Sequence, residues 1–334
     1  MSDVRTDTAS VADRIRPVSA GGPVVAVHFL GETPVFVLGE EALAFAPRDA
    51  AVRTVSVHGG AILAAAADAS RIITGGDDGK VIATDAAGTA TNIVTDAKRR
   101  WIDRVAAGPD GAVAWAAGKQ AFVRTGKQEQ RVCEVPSSVG GLAFAPKGFR
   151  LAIAHYNGAL LWFPNAQAAP ERLEWKGSHL GVTFSPDGRF LVTAMQEPTL
   201  HGWRLVDSKH MRMSGYAAKV RSMSWSAGGK WLATSGSDQL ILWPFQAKDG
   251  PMGKSPQLLA PAGHKVAIVA CHPKQDVVAV GYEDGLLLLV RIDDGAEIIA
   301  KRAGAAAVAA VAWSADGSML AFGCEDGEAG VIEL

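Results

Sequence analysis

VTFSPDGRFLVTAMQEPTLHGWRL, residues 182–205, is the stretch whose reading decides the fold. An apolar run ends in Pro186-Asp187-Gly188, a second run ends in a polar turn, and a third run follows. The pattern is that of three short strands joined by hairpins. It recurs as MSWSAGGKWLATSGSDQLILWPF from Met223, VACHPKQDVVAVGYEDGLLLLV from Val269 and VAWSADGSMLAFGCEDGEAGVIEL from Val311. Upstream it recurs as LAFAPKGFRLAIAHYNGALLWF from Leu142, VAAGPDGAVAWAAGKQAFVRT from Val105 and LAAAADASRIITGGDDGKVIATD from Leu63.

Anchored on the residue before the first turn (Ala65, Ala107, Phe144, Phe184, Trp225, Cys271, Trp313), the units repeat about every 41 residues, the spacing of four-stranded propeller blades. A more degenerate unit from Val24 makes eight. Each unit carries a fourth strand, as in residues 51–57 and 172–177, except the last, which stops in its third. Residues 12–20 lie where they can supply it, closing the array and covering an open sheet edge. The expectation is an all-β, eight-bladed β-propeller of four-stranded antiparallel blades, closed by the N-terminal strand. Seven blades is the alternative if one unit is misread. Residues 12–334 then form a single domain behind a disordered tail, residues 1–11.

Of 334 residues, 48% are hydrophobic and 20% charged, with a net charge of −1. That composition supports a packed core and excludes a disordered chain. Near-neutral charge, with no basic run longer than Lys98-Arg99-Arg100, argues against nucleic acid as a partner. No stretch reaches the roughly 18 apolar residues of a spanning helix, and no signal-peptide core is present, so no membrane partner and a cytoplasmic location are expected. Three scattered cysteines, Cys133, Cys271 and Cys324, with no Cys-x-x-Cys, suit a reducing compartment. The abundance of Ala and Gly points to a GC-rich, bacterial coding origin.

The units resemble the tryptophan-aspartate (WD) repeat family, whose unit runs roughly FSPDGxxLASGSxDGTVxLWD. FSPDGRFLVTAMQEPTLHGWRL aligns with it without a gap, placing Trp203 at the family Trp and Glu197 at the structural Asp. Asp78, Asp284 and Asp326 fall at that same Asp, while Asn157 replaces it in the fourth unit. Trp162, Trp203 and Trp243 lie at or beside the family Trp, and Thr84, Val290 and Ile332 replace it elsewhere. The resemblance implies that the Asp bonds a His of the preceding connection, giving the pairs His58 with Asp78 and His264 with Asp284. Tyr216 takes the His position of the sixth unit. The resemblance also implies a non-enzymatic scaffold that presents loops to a protein or peptide partner.

The other chemical signals read as structural. The acidic turns GGDDG, GYEDG and GCEDG fit Asp-Gly hairpins better than calcium loops, which need five or so oxygen ligands from one segment. No His-Glu-x-x-His, paired-Cys, Gly-x-Ser-x-Gly, phosphate-loop or dinucleotide motif occurs, so no metal, cofactor or catalytic residue is expected. Seven of the nine Trp fall within expected strands. Loop residues of the types enriched at interfaces remain as candidate partner contacts: Arg100, Trp101, Tyr156, Trp175, Met195, Tyr216, Lys219 and Tyr282. The alternatives are an enzyme or small-ligand receptor using the central channel, and an assembly or metal- or cofactor-delivery accessory. Oligomeric state is left open.

Overall fold

A computed structural model describes residues 8–126 and 128–334. Among the described residues, antiparallel pairing groups the strands into seven sheets, six of four strands and one of six. They span residues 24–56, 62–95, 104–134, 141–213, 223–259, 266–301 and 308–333, the last with a strand from the N-terminus. Counted by hydrogen-bonded sheets, the blades number seven, the alternative count, and the expectation of eight is corrected. The eight sequence units are carried on these seven sheets because the fourth and fifth share one.

The physical reason lies in two long strands. Leu151–Trp162 pairs through residues 151–154 with Gly141–Phe144 and through residues 158–161 with Glu171–Phe184. Between those halves, Asn157 (φ 71°) and Gly158 (φ 141°) redirect the backbone. Glu171–Phe184 likewise serves twice. Its first part pairs back to the preceding strand, and residues 179–184 pair forward with Phe190–Met195. The connecting residues, Trp175 to Leu180, contain no Pro, Asp or Asn to force a turn. Gly177, at φ 128°, bends the chain without ending the strand. The outer strand of one unit thereby runs straight into the inner strand of the next.

Hairpin geometry follows from the quoted turns. In Ser185-Pro186-Asp187-Gly188, the Ser185 hydroxyl donates to Asp187 (2.6 Å) and accepts from the amide of Phe190 (2.9 Å), while Gly188 takes φ 76°. Ser314, Asp316 and Met319 repeat the device at 2.6 and 3.0 Å, with Gly317 at φ 83°. These turns close themselves and set the strand register.

The chain forms two compact units, one of residues up to 36, 46–52 and 221–334, the other of residues 37–45 and 53–220. In the first, apolar residues fill the spaces between successive sheets. Leu240 and Leu242 pack with Val278 and Leu288, and Leu287 and Leu289 pack with Leu320 and Phe322. The N-terminal strand Ile15–Pro17 pairs with Ala329–Glu333, Ile15 opposite Ile332 and Pro17 opposite Gly330, and completes the last sheet. Of the expected disordered tail, residues 1–7 lie outside the described residues. Ala9 and Val11 exchange backbone hydrogen bonds with Ile299, at 2.8 and 2.9 Å, so this part of the tail is held.

The second unit is built on the same principle. Ile73 and Val81 meet Val113 and Trp115, and Val123 and Cys133 meet Leu151 and Leu160. Trp115 is buried and stacks on Phe122 at 5.3 Å. Truncating such a buried ring to Ala typically costs about 3 to 5 kcal/mol.

Candidate functional site

The turn after the strand Arg71–Gly76 is locked by a buried histidine. His58 donates from Nδ1 to the Asp78 carboxylate (3.0 Å) and accepts at Nε2 from the Thr74 hydroxyl (2.9 Å). Burial raises the Asp78 pKa, but hydrogen bonds from His58 and from the amides of Gly59 and Lys80 outweigh it and hold the carboxyl below its ordinary range.

The second expected pair, His264 with Asp284, does not form. His264 is exposed, and Asp284 instead accepts from the amide of Leu286 (3.1 Å). Strand register explains the correction. Ile62 faces Gly76 in one sheet and Val266 faces Tyr282 in the other, each followed by the same register shift. Counting four residues back from Ile62 reaches His58, but four back from Val266 reaches Ala262. Val280 stands where Thr74 does, so the second partner is missing as well. The same register puts Trp175 and Tyr216 at the His58 position of their sheets.

Placement divides the expected contact residues. Tyr282 is buried and its hydroxyl bonds the carbonyl of Ala260 (2.5 Å); Tyr216 and Met195 are also buried. These three are corrected from exposed loop contacts to buried positions: Met195 and Tyr282 are the last residues of the strands Phe190–Met195 and Val277–Tyr282, and Tyr216 lies buried in the connection before Met223–Trp225. Arg100 is engaged within the fold. Its guanidinium meets Asp96 at 2.6 Å, Gln120 at 2.8 Å and the Ala117 carbonyl at 3.1 Å. Lys219 is half-buried. Trp101, 67% exposed, and Tyr156, 53% exposed, project from the surface.

Tyr156 and Trp175 come together. Two adjoining cavities of about 630 and 600 Å³ share Tyr156, Trp175 and Lys176 as their common wall. The first continues along Asn157, Arg172 and Glu174, and the second along Met195, Glu197 and Arg212. Each is within the size range of small-ligand and peptide side-chain pockets. Both charge signs line the groove.

Beneath Trp175 lies a histidine cluster for which the sequence carries no motif. The indole stacks on His201 (4.0 Å between centroids, 14° between planes), and His210 follows at 5.3 Å. His179 donates from Nε2 to the Trp175 carbonyl (3.0 Å), and its Nδ1 meets the Thr193 hydroxyl at 2.7 Å. His201 is fully buried with neither ring nitrogen bonded. Burial first, then the nearby His210, His179 and Arg212, push its pKa down to about 3. Burial also lowers His155 and His179, so the floor of the groove is neutral and aromatic. His179 and His201 lie on the two strands that flank Phe190–Met195, with Thr193 of that middle strand between them, a juxtaposition set by sheet pairing.

Cys324, Asp326 and Glu328 bring potential ligand atoms within 4.8 Å of one another. Burial pushes the Cys324 thiol up to about 11, and Asp326 and Glu328 are exposed.

Comparison with known proteins follows the same lines. Residues 208–243 match the profile of the WD domain, G-beta repeat, and residues 269–334 match that of the anaphase-promoting complex subunit 4 WD40 domain. Meiotic recombination protein rec14 of Schizosaccharomyces pombe (strain 972 / ATCC 24843) is 29% identical over 112 residues, which is 32% of this chain and 36% of that protein. The chain thus spans about a third of that relative's length. A crystal structure of the computationally designed Ika8 protein superposes with a TM-score of 0.75 at 16% identity, covering 95% of this chain and 99% of that one. That likeness establishes the fold.

Proposed function

Because the chain is a WD-repeat β-propeller, we propose that it acts as a non-enzymatic scaffold that docks a segment of a protein partner in the groove walled by Tyr156, Trp175 and Lys176. The observation that carries this reading is the shared wall itself: two cavities meet at an exposed Tyr and at a Trp held by stacking on buried His201. An aromatic whose rotamer is already fixed loses little conformational entropy on binding, which is why such residues dominate interface energetics. The mixed charges of Arg172, Glu174, Lys176 and Glu197 suit a polar rim around that anchor. The matched profile from a subunit of a multiprotein complex supports the same role. The histidines nearest the groove have lowered pKa values and bond within the fold or stack in its core, an arrangement suited to support rather than acid-base chemistry.

Tyr156→Ala and Lys176→Glu change exposed side chains and should leave the thermal melt unchanged. Quantitative affinity purification from the native cell should show a partner captured by the wild-type chain and depleted by both variants. A partner set that is identical across all three proteins would refute the groove as the docking site.

A further inference from the structure

We propose that the loop 96–102 is a second docking surface, built to receive an acidic protein segment on Trp101 flanked by Lys98 and Arg99. This rests on the scaffold reading but uses residues separate from the groove. Trp101 is 67% exposed, an unusual state for so large an apolar ring. Lys98 and Arg99 are exposed, and neither forms an ion pair among the described residues. The nearest acid in sequence beyond the Trp, Asp103, lies 3.5 Å from Arg104.

The loop is held on every side. The Asp96 carboxylate accepts from the amides of Lys98 and Arg100, both at 3.0 Å, and from the Arg100 guanidinium. Arg100 extends the clamp to Ala117 and Gln120. At the two ends, the Asp96 amide donates to the Gly79 carbonyl (2.8 Å) and the Ile102 amide to the Gly76 carbonyl (3.0 Å), with the Ile102 side chain fully buried. Gly79, at φ 76°, lets the turn approach so closely that a Cβ there would lie 3.0 Å from the Arg99 Cα.

The turn beneath is the one locked by His58, Thr74 and Asp78. Across the four other sheets that share the register of this one, the complete trio does not recur among the described residues. Its places are taken by Trp175, Thr193 and Glu197; by Tyr216, Thr234 and Asp238; by Ala262, Val280 and Asp284; and by Gly304, Phe322 and Asp326. The complete trio therefore lies under the most exposed indole. An exposed aromatic on a backbone clamped in place, beside unpaired cations, matches an acidic segment carrying an apolar or aromatic side chain, with carboxylates to Lys98 and Arg99 and ring contact to Trp101. Nucleic acid is the poorer fit, because a chain of net charge −1 offering two free cations here lacks the several phosphate contacts that such binding uses.

The test uses fluorescence anisotropy with the full chain and three labelled probes: a glutamate-rich peptide with a central Phe, its lysine counterpart, and an oligothymidylate of similar length. The glutamate peptide should bind, weaken with added salt, and lose roughly ten-fold in affinity with Trp101→Ala and several-fold with Lys98→Ala combined with Arg99→Ala. Circular dichroism melts of the variants should match the wild type, since the altered side chains are exposed. Failure of the glutamate peptide to bind, equal binding of the lysine peptide, tighter binding of the oligothymidylate, or an affinity untouched by Trp101→Ala would each overturn the proposal. Its loss with partner capture through Tyr156 intact would remove this surface and leave the scaffold. Tyr156-independent capture with the glutamate peptide still bound through Trp101 would remove the groove and keep this surface.

Discussion

His58 and Asp78, 20 residues apart in sequence, stand 3.0 Å from each other, with the second imidazole nitrogen on the hydroxyl of buried Thr74. The imidazole side chain is fully buried and the carboxylate nearly so. Removing the ring leaves a buried hydroxyl and carboxylate short of a partner, a loss of about 1 to 3 kcal/mol. His58→Ala should lower the denaturant midpoint accordingly, while His264→Ala, altering an exposed side chain outside any lock, should stay within about 0.5 kcal/mol of wild type. Equal losses in the two variants would show that the register argument is wrong.

The Asp78 pair also has a pH signature. Because its folded-state pKa lies below the unfolded value, its contribution to stability is present above the unfolded pKa near 3.8 and is lost as pH falls through the depressed folded value. Asp78→Asn should be less stable than wild type at neutral pH, and that difference should shrink under acid conditions. Urea titrations at several pH values would read the difference directly, and a gap constant from pH 7 to the acid limit would contradict it.

His201 works through a different window. Its folded pKa of about 3, against an ordinary 6.5, means that the unfolded chain binds the proton first, so stability falls as pH drops between those values. His201→Phe keeps a ring under Trp175 and removes two buried nitrogens that have no hydrogen-bond partner. The variant should melt no lower than wild type and lose less stability between pH 6.5 and 4. Part of the acid lability should remain through His28, whose pKa burial lowers to about 4. A variant markedly less stable at pH 7 would mean that the nitrogens have a structural task.

Much of this fold was legible because its turns announce themselves. Pro186-Asp187-Gly188 and Ala315-Asp316-Gly317 impose hairpins through local bonds alone, so the repeat could be read without tertiary information. The sharing of one sheet by two units was not legible, because Trp175 to Leu180 differ from a loop only in what pairs beside them. His264 was misplaced for a related reason. Counting back from a turn assumes that the turn begins at the same register position in every unit, yet Cys271 aligns by pairing with Ala67 and not with Ala65. Exposure was harder still. Tyr156 and Tyr282 both follow apolar runs, and what separates them is that Tyr282 is enclosed, with its hydroxyl on the Ala260 carbonyl, while Tyr156 projects outward. The groove depends on Trp175 meeting residues from three strands, a juxtaposition that no local motif encodes.

The N-terminal segment gives a final prediction with a built-in control. Ile15, Arg16 and Pro17 cover the edge strand Ala329–Glu333, and Ala9 and Val11 bond the backbone of Ile299 on the neighbouring sheet. The segment therefore ties the last two sheets together through the short turn Ala12–Arg14. Deleting residues 1–7 leaves all of these bonds in place and sets the reference melting temperature. Deleting residues 1–11 removes the tie to Ile299 and should lower it modestly. Deleting residues 1–17 also uncovers an apolar strand edge at Val331 and Ile332, and should produce the largest fall together with concentration-dependent association, since an unpaired edge is a template for another chain. Light scattering and thermal melts on the three truncations would rank them; equal stability of the first and third would mean that the N-terminal strand does not hold the last sheet.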